Sequence, residues 1–404
     1  MKTYKTEQIR NITLIGNAGA GKTTLAEAML FEGGIIKRRG EVTSKNTASD
    51  YTDIEHDFEN SVFSTLLYTE FKDHKINIID TPGMKAFAGA VTSSLNVTDS
   101  AVCVINSGDG IGAGTESSMR IADKLNKPVI AVANGLDHEN ANFDKIFEDG
   151  KTRFGGRMTI VQYPVNPGND FNQVVDVLKM KMYQWGPDGG EPEIIDIPDS
   201  EKDKADELHN ELVEKAAEND EALMELYFDK GTLTEDEMRQ GMKLGMKDGT
   251  LMPIFCTCAK KDMGIRRFIE FIINIVAAPN EYPAREEING KDVKMDTNGP
   301  ASMFVFKTSL EPHIGEVTYF KVMSGKISEG MDIINTHRSN KERLSALYAV
   351  AGKNRTKVSE IIAGDLGATV KLKETKVNHT LSTKDADYKF APIEFPKPLT
   401  TVAV

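Results

Sequence analysis

The most constraining feature of this sequence is a glycine-rich segment that lies between a predicted strand and a predicted helix. Residues 16–23 read Gly-Asn-Ala-Gly-Ala-Gly-Lys-Thr, which matches the pattern G-x-x-x-x-G-K-[ST]. The β-branched run at residues 9–15 precedes it, and residues 23–30 have helical spacing. Such glycines let backbone N–H groups approach phosphate oxygens, and the helix N-terminus adds partial positive charge. The segment therefore predicts a cradle for nucleotide phosphates.

Further short apolar runs occupy residues 76–79, 101–105 and 129–132, and residues 116–125 have helical composition. Short and nearly continuous apolar runs are typical of strands buried on both faces of a parallel sheet. Strands and helices in series indicate a doubly wound α/β domain. We therefore predict an α/β P-loop domain whose sheet is mostly parallel and carries helices on both faces.

Changes in composition and in the pattern of apolar residues along the chain predict its domain organisation. Residues 1–280 form the α/β domain, with a helical insertion at about 158–250 that is rich in Glu, Lys, Ala and Leu. Residues 281–300 form a Pro- and Gly-containing linker, and the short β-rich runs of residues 301–392 predict an all-β barrel. Residues 393–404 are expected to open a third domain, so we expect the chain to be a shortened form of a longer protein.

Charge and composition restrict the partners and the compartment. Lys and Arg total 49 and Asp and Glu total 61, so the net charge of −12 argues against a general polyanion binder. The three cysteines do not form a disulfide framework, which favours a reducing compartment. No apolar signal segment and no run of 18 apolar residues is visible. We expect a cytoplasmic monomer without DNA or membrane partners.

Two further motifs follow predicted strands and extend the site. Asp80-Thr-Pro-Gly83 places a carboxylate where it can hold Mg²⁺ through water, and the Gly83 N–H can reach a γ-phosphate. Asn134-Gly-Leu-Asp137 places a carboxylate that can accept the N1–H and N2–H of guanine, donors that adenine does not offer. In the P-loop, Lys22 is predicted to reach the β- and γ-phosphates and the Thr23 hydroxyl to serve Mg²⁺.

These three motifs in this order resemble the translational GTPases and, among them, the elongation factor G family. Residues 256–260, Cys-Thr-Cys-Ala-Lys, are similar to that family's base-binding turn, and residues 302–392 resemble its second domain. The resemblance implies GTP or GDP with Mg²⁺ as cofactors and the ribosome, both its RNA and its proteins, as partner. It implies the following nucleotide-binding residues: Asn17, Ala18, Gly19, Ala20, Gly21, Lys22, Thr23, Thr24, Asp80, Gly83, Asn134, Asp137, Cys258 and Ala259. It implies the following residues at the metal: Thr23, Ser61 and Asp80.

The sequence departs from the family at positions that matter for catalysis. Met84 stands where the family has the histidine that orients the attacking water, and Gly135 replaces a lysine that packs along the base. Gly19 replaces an aspartate of the P-loop, and residues 58–62 replace the family's R-G-I-T-I segment, with Ser61 at the Mg²⁺ threonine. Because loss of a water-activating group costs about 10²–10⁴-fold in rate, we predict weak or lost hydrolysis. Loss of the contact beside the base should weaken nucleotide binding without abolishing it, because the P-loop still holds the phosphates.

Several functions remain open at this point. The chain could be a GTP-hydrolysing translocase, or a nucleotide switch that occupies the same ribosomal site and hydrolyses GTP slowly, which Met84 and Gly135 favour. It could also be a ribosome-protection GTPase of the tetracycline-resistance type, whose distinguishing sequence lies in later domains. A metabolic P-loop ATPase fits less well, because Asp137 and the predicted β-barrel argue against it.

Overall fold

The computed structural model describes residues 2–311 and 314–397. The N-terminal part alternates strands and helices around a central sheet. In chain order its elements are β1 (Ile9–Ile15), α1 (Lys22–Glu32), α2 (Asp53–Phe58), β2 (Thr65–Phe71), β3 (His74–Asp80), α3 (Ala88–Val97), β4 (Ser100–Asn106), α4 (Ala113–Lys124), β5 (Val129–Asn134), α5 (Phe143–Arg153) and β6 (Met158–Ile160).

A second group of elements follows before the chain returns to the central sheet. They are β7 (Gln162–Pro164), β8 (Gln173–Asp176), β9 (Lys181–Gln184), β10 (Glu193–Ile195), α6 (Asp199–Ala217), α7 (Glu221–Lys230), α8 (Glu235–Asp248), β11 (Met252–Thr257) and α9 (Ile265–Ile275). The central sheet has the order β2-β3-β1-β4-β5-β11-β6. Only β2 runs antiparallel to its neighbour, so the C-terminal ends of β1, β3, β4, β5 and β11 meet at one edge, where the predicted motifs lie.

The helical insertion predicted at about 158–250 is helical only in its second part. Met158–Ile160 pairs with β11 and belongs to the central sheet. Strands β7 to β10 then form a four-stranded antiparallel sheet, and the helices begin at Asp199. These strands are three or four residues long, too short to produce a readable alternation of polar and apolar residues. The helical part is itself divided, because α6 ends at Ala217 and the Asp220 side chain caps α7 by accepting the N–H of Leu223.

The C-terminal part is built from antiparallel strands. Its elements are β12 (Arg285–Glu286), β13 (Asp292–Val293), β14 (Ser302–Glu311), β15 (Gly315–Ser324), β16 (Lys326–Ser328), β17 (Asp332–Asn335), β18 (Asn340–Arg343), β19 (Leu347–Ala351), β20 (Asn354–Val358), β21 (Glu360–Ile362), β22 (Leu366–Val370) and β23 (Thr380–Ser382). Eight of these strands form one sheet in the order β18-β17-β23-β14-β15-β22-β19-β20. The predicted fold class, a P-loop α/β domain followed by an all-β domain, is confirmed. We call β14 to β23 the β-domain.

Strand β14 shows how the β-domain is attached to the α/β domain. Met303 and Val305 face the internal core of the β-domain, whereas Phe304 and Phe306 face the other way. The outward-facing residues pack in one apolar cluster with Leu66, Ile79 and Val97 of the α/β domain. The two-residue period of a strand therefore buries both faces of β14.

Buried ion pairs also connect the two domains. Both Asp365 carboxylate oxygens lie 2.8 Å from the Lys75 Nζ, and Asn77 Nδ2 donates to Asp365 Oδ1 at 2.8 Å. A second pair joins Lys321 Nζ to Asp99 Oδ1 at 2.7 Å. Because each carboxylate has a cationic partner, charges that would be costly alone are compensated at the interface.

The predicted linker and the predicted start of a third domain differ in their secondary structure. The segment predicted as a linker contains the small hairpin β12–β13. Residues 393–397 have no regular secondary structure, and residues 398–404 of the predicted third-domain start lie outside the described residues. No helix among the described residues combines the length and the apolar character needed to cross a membrane.

A stacked histidine pair in the β-domain predicts acid sensitivity. The rings of His337 and His379 lie 5.0 Å apart at an interplanar angle of 5°, and burial together with the charge of Lys389 lowers the His337 pKa from 6.5 to about 4. The fold therefore favours the neutral ring, so stability is full above pH 6.5 and falls as the pH drops towards 4. We expect urea unfolding to show a loss of about 1 kcal/mol between pH 7 and pH 5, limited by solvent screening. His337→Asn should reduce that loss, and an equal loss in both proteins would contradict the prediction.

Candidate nucleotide site

The P-loop adopts a backbone that two glycines make possible. Gly21 is the left-handed N-cap of α1 with φ +89°, and a Cβ there would lie 2.2 Å from Asn134 Nδ2. At Gly16, with φ +135°, a Cβ would lie 2.2 Å from the Val104 carbonyl oxygen. The loop is thus pressed against β4 and β5, and it opens directly into a helix N-terminus, as the sequence predicts. That arrangement presents backbone N–H groups to an anion.

Lys22 lies beneath this loop with its ammonium group poorly solvated. Its Nζ donates to the Asn17 carbonyl at 2.8 Å and to the Gly16 carbonyl at 3.2 Å. Burial lowers the pKa of Lys22, while the charges of Asp80 and Asp50 act in the opposite direction. A cation held by neutral carbonyls in a buried site interacts strongly with an incoming phosphate, because the surrounding dielectric constant is low.

Oxygen atoms from three segments meet beside Thr23. Thr23 Oγ1 and Ser49 Oγ each donate to Asp80 Oδ2 at 2.7 Å, and Ser61 Oγ lies 3.3 Å from Thr23 Oγ1. Asp80 Oδ1 and Asp50 Oδ1 are buried without a hydrogen-bond partner among the described residues. Unpartnered carboxylate oxygens beside hydroxyls are the donors that Mg²⁺ prefers, so these residues fit the metal that the motifs imply.

The electrostatics of this oxygen cluster also fit a cation. Burial, followed by the charge of Asp80, raises the pKa of Asp50 to about 7. Burial likewise raises the pKa of Asp80. Two carboxylates that ionise reluctantly in one buried place are stabilised when a cation joins them. The sequence motifs predicted Thr23 and Asp80 at this place, and the family resemblance implied Ser61. Neither indicated Ser49 and Asp50, which lie in an irregular segment without a recognisable spacing.

The loop that carries Ser49 and Asp50 is fixed from both domains. The Glu27 carboxylate of α1 accepts the N–H of Gly40 at 2.7 Å and the N–H of Ala48 at 2.5 Å. From the β-domain, the N–H of Lys353 donates to the Ala48 carbonyl at 3.2 Å and the N–H of Gly352 donates to the Leu66 carbonyl at 2.9 Å. Glu27 was not predicted as a site residue either. Both of its hydrogen bonds are to backbone N–H groups, which leave no recognisable residue pattern in the sequence.

Asn134 joins the P-loop to the predicted base-binding turn. Its Nδ2 donates to the Ala20 carbonyl at 3.1 Å, and its Oδ1 accepts from Thr257 Oγ1 at 3.1 Å and from the Ala259 N–H at 3.0 Å. One side chain therefore connects two of the predicted segments. These contacts brace the P-loop against the turn that follows β11.

Asp137 lies on the same side with two neighbours of its own. Its Oδ2 is 3.4 Å from Lys261 Nζ, and the Cys258 thiol is hydrogen-bonded to the carboxylate. Burial acts to raise the pKa of Asp137, but the Cys258 contact and the Lys261 charge outweigh it and lower the pKa. Asp137 is thus held ionised, which suits acceptance of two N–H donors from one edge of a base.

Gly135 lies between these two residues and has φ +75°, a left-handed conformation that side chains rarely adopt. A Cβ at Gly135 would lie 2.7 Å from Cδ2 of the His138 ring. The lysine that the elongation factor G family has at this position would therefore require the His138 ring to move. The departure at Gly135 is accommodated by the local structure.

Gly83 and Met84 border the phosphate side of the cleft. A Cβ at Gly83 would lie 2.3 Å from the Ala18 nitrogen, so this position packs directly on the P-loop. Asn17 Oδ1 accepts the Gly114 N–H at 3.1 Å and connects the P-loop to α4. Met84 follows Gly83 with its side chain 42% exposed. Its thioether sulfur is only a weak hydrogen-bond acceptor.

Fold and site together define a P-loop nucleotide-binding domain of the GTPase class followed by a β-domain. The family model for the elongation factor Tu GTP binding domain matches residues 7–278, and that for elongation factor G domain 2 matches residues 300–384. The chain belongs to the elongation factor G family of translational GTPases. Membership makes it a guanine-nucleotide-binding protein of a family of GTP hydrolases.

A similar solved structure supports the same fold. The chain is similar to the crystal structure of ttk003000868 from Thermus thermophilus, with a TM-score of 0.86 and 25% sequence identity. The match covers 97% of this chain and 57% of that chain. This chain therefore spans a little over half the length of that solved relative.

Proposed function

We propose that this protein is a translation elongation factor of the elongation factor G type, which binds GTP and acts on the ribosome in tRNA–mRNA translocation with slow GTP hydrolysis. One observation carries the proposal: Lys22 and Thr23 of the P-loop and the Asp137 carboxylate are all present in the candidate site, while Met84 follows Gly83. Nucleotide binding and water activation depend on different side chains, so one can persist without the other. We further propose a cytoplasmic monomer whose partners are ribosomal RNA and proteins.

Mg²⁺ would be held by Thr23, Ser61 and Asp80, with Asp50 near enough to share its charge. When bound, the ion neutralises charge on the β- and γ-phosphate oxygens. Lys22 and the P-loop N–H groups hold the same phosphates from the opposite side. Gly83 offers its N–H to the γ-phosphate, so the chain can distinguish GTP from GDP by that contact.

The exposed thioether of Met84 can neither accept a proton nor hold water in one orientation. Loss of such a group costs about 10²–10⁴-fold in rate, whereas the binding contacts described above are unaffected. Exchange of GTP for GDP would then drive the conformational cycle with little help from hydrolysis.

The test is GTP turnover by the protein with and without ribosomes, run beside a translocation assay. We expect ribosome-dependent binding and translocation with turnover far below that of an ordinary elongation factor G. Turnover at the ordinary rate would contradict slow hydrolysis. Release of tetracycline from ribosomes without translocation would favour the alternative, a ribosome-protection GTPase.

Guanine preference is predicted to depend on Asp137. Asp137→Asn removes an ionised acceptor for two guanine donors, so we expect GDP affinity to fall by about 1.5–3 kcal/mol, or roughly 10–100-fold. Competition between GDP and ADP for a fluorescent nucleotide measures the change, and ADP should bind poorly to the wild type. The exposed Asp144 provides a control, since Asp144→Asn should leave both affinities as they are. Equal GDP affinity in wild type and Asp137→Asn would contradict the assignment.

A further inference from the structure

Asn60 lines the phosphate side of the nucleotide cleft. The same cleft is lined by Ala18 and Lys22 of the P-loop and by Gly83. Glu59, which ends α2 in a left-handed conformation with φ +49°, precedes Asn60, and Ser61 of the oxygen cluster follows it. Asn60 is half-buried, and it lines this cleft together with Ser61 and Gly83.

The hydrogen bonding of Asn60 leaves one end of its amide available. Its Nδ2 donates to the Phe58 carbonyl at 3.2 Å, and this contact fixes the amide within its own loop. Among the described residues, no group donates to Asn60 Oδ1. A carboxamide oxygen can accept two hydrogen bonds, so this atom can hold a water molecule.

We propose that Asn60 orients the water that attacks the γ-phosphate, in place of the group missing at Met84. The inference rests on the proposed function. A side-chain carboxamide performs this task in other GTPases, where it positions water by hydrogen bonds and is not itself a strong base. The water oxygen bonds to the γ-phosphorus as the bond to the bridging oxygen of GDP breaks. The water protons end on the released phosphate and solvent, and Asn60 takes none.

The neighbouring polar side chains are less suited to this role. His56 lies in the same segment, but its Nε2 is engaged with the Asp50 carbonyl at 3.1 Å. Glu59 also lines the cleft, but its carboxylate carries the same sign of charge as the γ-phosphate. The neutral amide of Asn60 has no such repulsion, so it can approach the phosphate closely.

Single-turnover hydrolysis of γ-labelled GTP by the wild type and by Asn60→Ala tests the proposal. We expect Asn60→Ala to lower the rate by at least about 10-fold, with Asn60→Gln retaining part of it. Fluorescent GTP and GDP should bind to all three proteins with affinities within about 2-fold, because water orientation is not a binding contact. In a Met84→His background, Asn60→Ala should cost less, since the two groups serve the same water.

Asn280→Ala is a matched control, because Asn280 is exposed and does not line the cleft. Equal hydrolysis rates in the wild type and Asn60→Ala would overturn the inference while GTP binding still supports the proposed function. A parallel loss of GTP affinity in Asn60→Ala would also overturn it, because Asn60 would then be a binding residue. Failure of the wild type to bind GTP would remove the proposed function and this inference together.

Discussion

Replacement of Met84 by histidine is expected to raise single-turnover GTP hydrolysis by about 10²–10⁴-fold. An imidazole can orient water and accept a proton near neutral pH, whereas a thioether can do neither. The Met84 side chain is 42% exposed, so the change removes little core packing. Nucleotide affinity should stay within about 2-fold of the wild type, since Lys22 and the P-loop are untouched.

Met84→Leu is the appropriate control for this experiment, because leucine is apolar, of similar volume and unable to hold water. It should hydrolyse GTP at the wild-type rate. If Met84→His gives no increase, the limitation lies elsewhere, and Gly19 and the segment 58–62 become the positions to exchange. If the wild type already hydrolyses GTP at the rate of an ordinary elongation factor G, the explanation based on Met84 is wrong.

The second large effect is expected at the interface between the domains. Asp365→Ala should destabilise the protein by about 3–5 kcal/mol, because it leaves the Lys75 ammonium buried without its anionic partner. The Lys75 side chain is 2% exposed and that of Asp365 is 12% exposed, so solvent stabilises the ammonium group far less than it does at the surface. Urea unfolding at pH 7 measures the difference in the free energy of unfolding.

An exposed ion pair of the same domain serves for comparison. Asp332 contacts Lys341 at 2.8 Å and Arg343 at 3.3 Å, but its side chain is 39% exposed. Asp332→Ala should therefore cost far less stability than Asp365→Ala. Equal destabilisation by the two substitutions would show that burial of the Lys75–Asp365 pair has no special importance. In the double variant Lys75→Met, Asp365→Ala, much of the lost stability should return, because no uncompensated charge remains.

The parts of the fold that could be predicted are those in which one local signal is sufficient. Strand β1 was predicted with its observed bounds, because every residue from Ile9 to Ile15 is buried and the P-loop ends the run. The capping box from Thr234 to Glu237 is a local sequence signal of the same kind, and it marks the start of α8. Strand β2 was not predicted, because it is the antiparallel edge of the sheet and contains polar residues such as Thr69 and Glu70.

The residues of the candidate site likewise fall into two groups, those that the sequence predicted and those that it did not. Its motif residues could be placed because each follows a buried strand of a parallel sheet, whose C-terminal ends meet at one edge. Glu27, Ser49 and Asp50 could not, because their roles depend on contacts across 13 to 31 residues of sequence between a helix, a loop and a strand. Gly135 could be recognised as a departure, but only the structure shows that the His138 ring occupies the adjoining space.

The backbone contacts of the β19–β20 turn have a mechanical consequence. Gly352 lies so close to the loop that a Cβ there would be 1.8 Å from the Ala48 carbonyl oxygen, and Lys353 donates its N–H to that same oxygen. Ala48 directly precedes Ser49, whose hydroxyl bonds the Asp80 carboxylate. Any displacement of this loop would therefore either break the Lys353 contact or turn the β-domain with it. The β19–β20 turn thus couples the phosphate end of the site to the β-domain. The stiffer this turn is, the larger the part of a loop movement that reaches the β-domain.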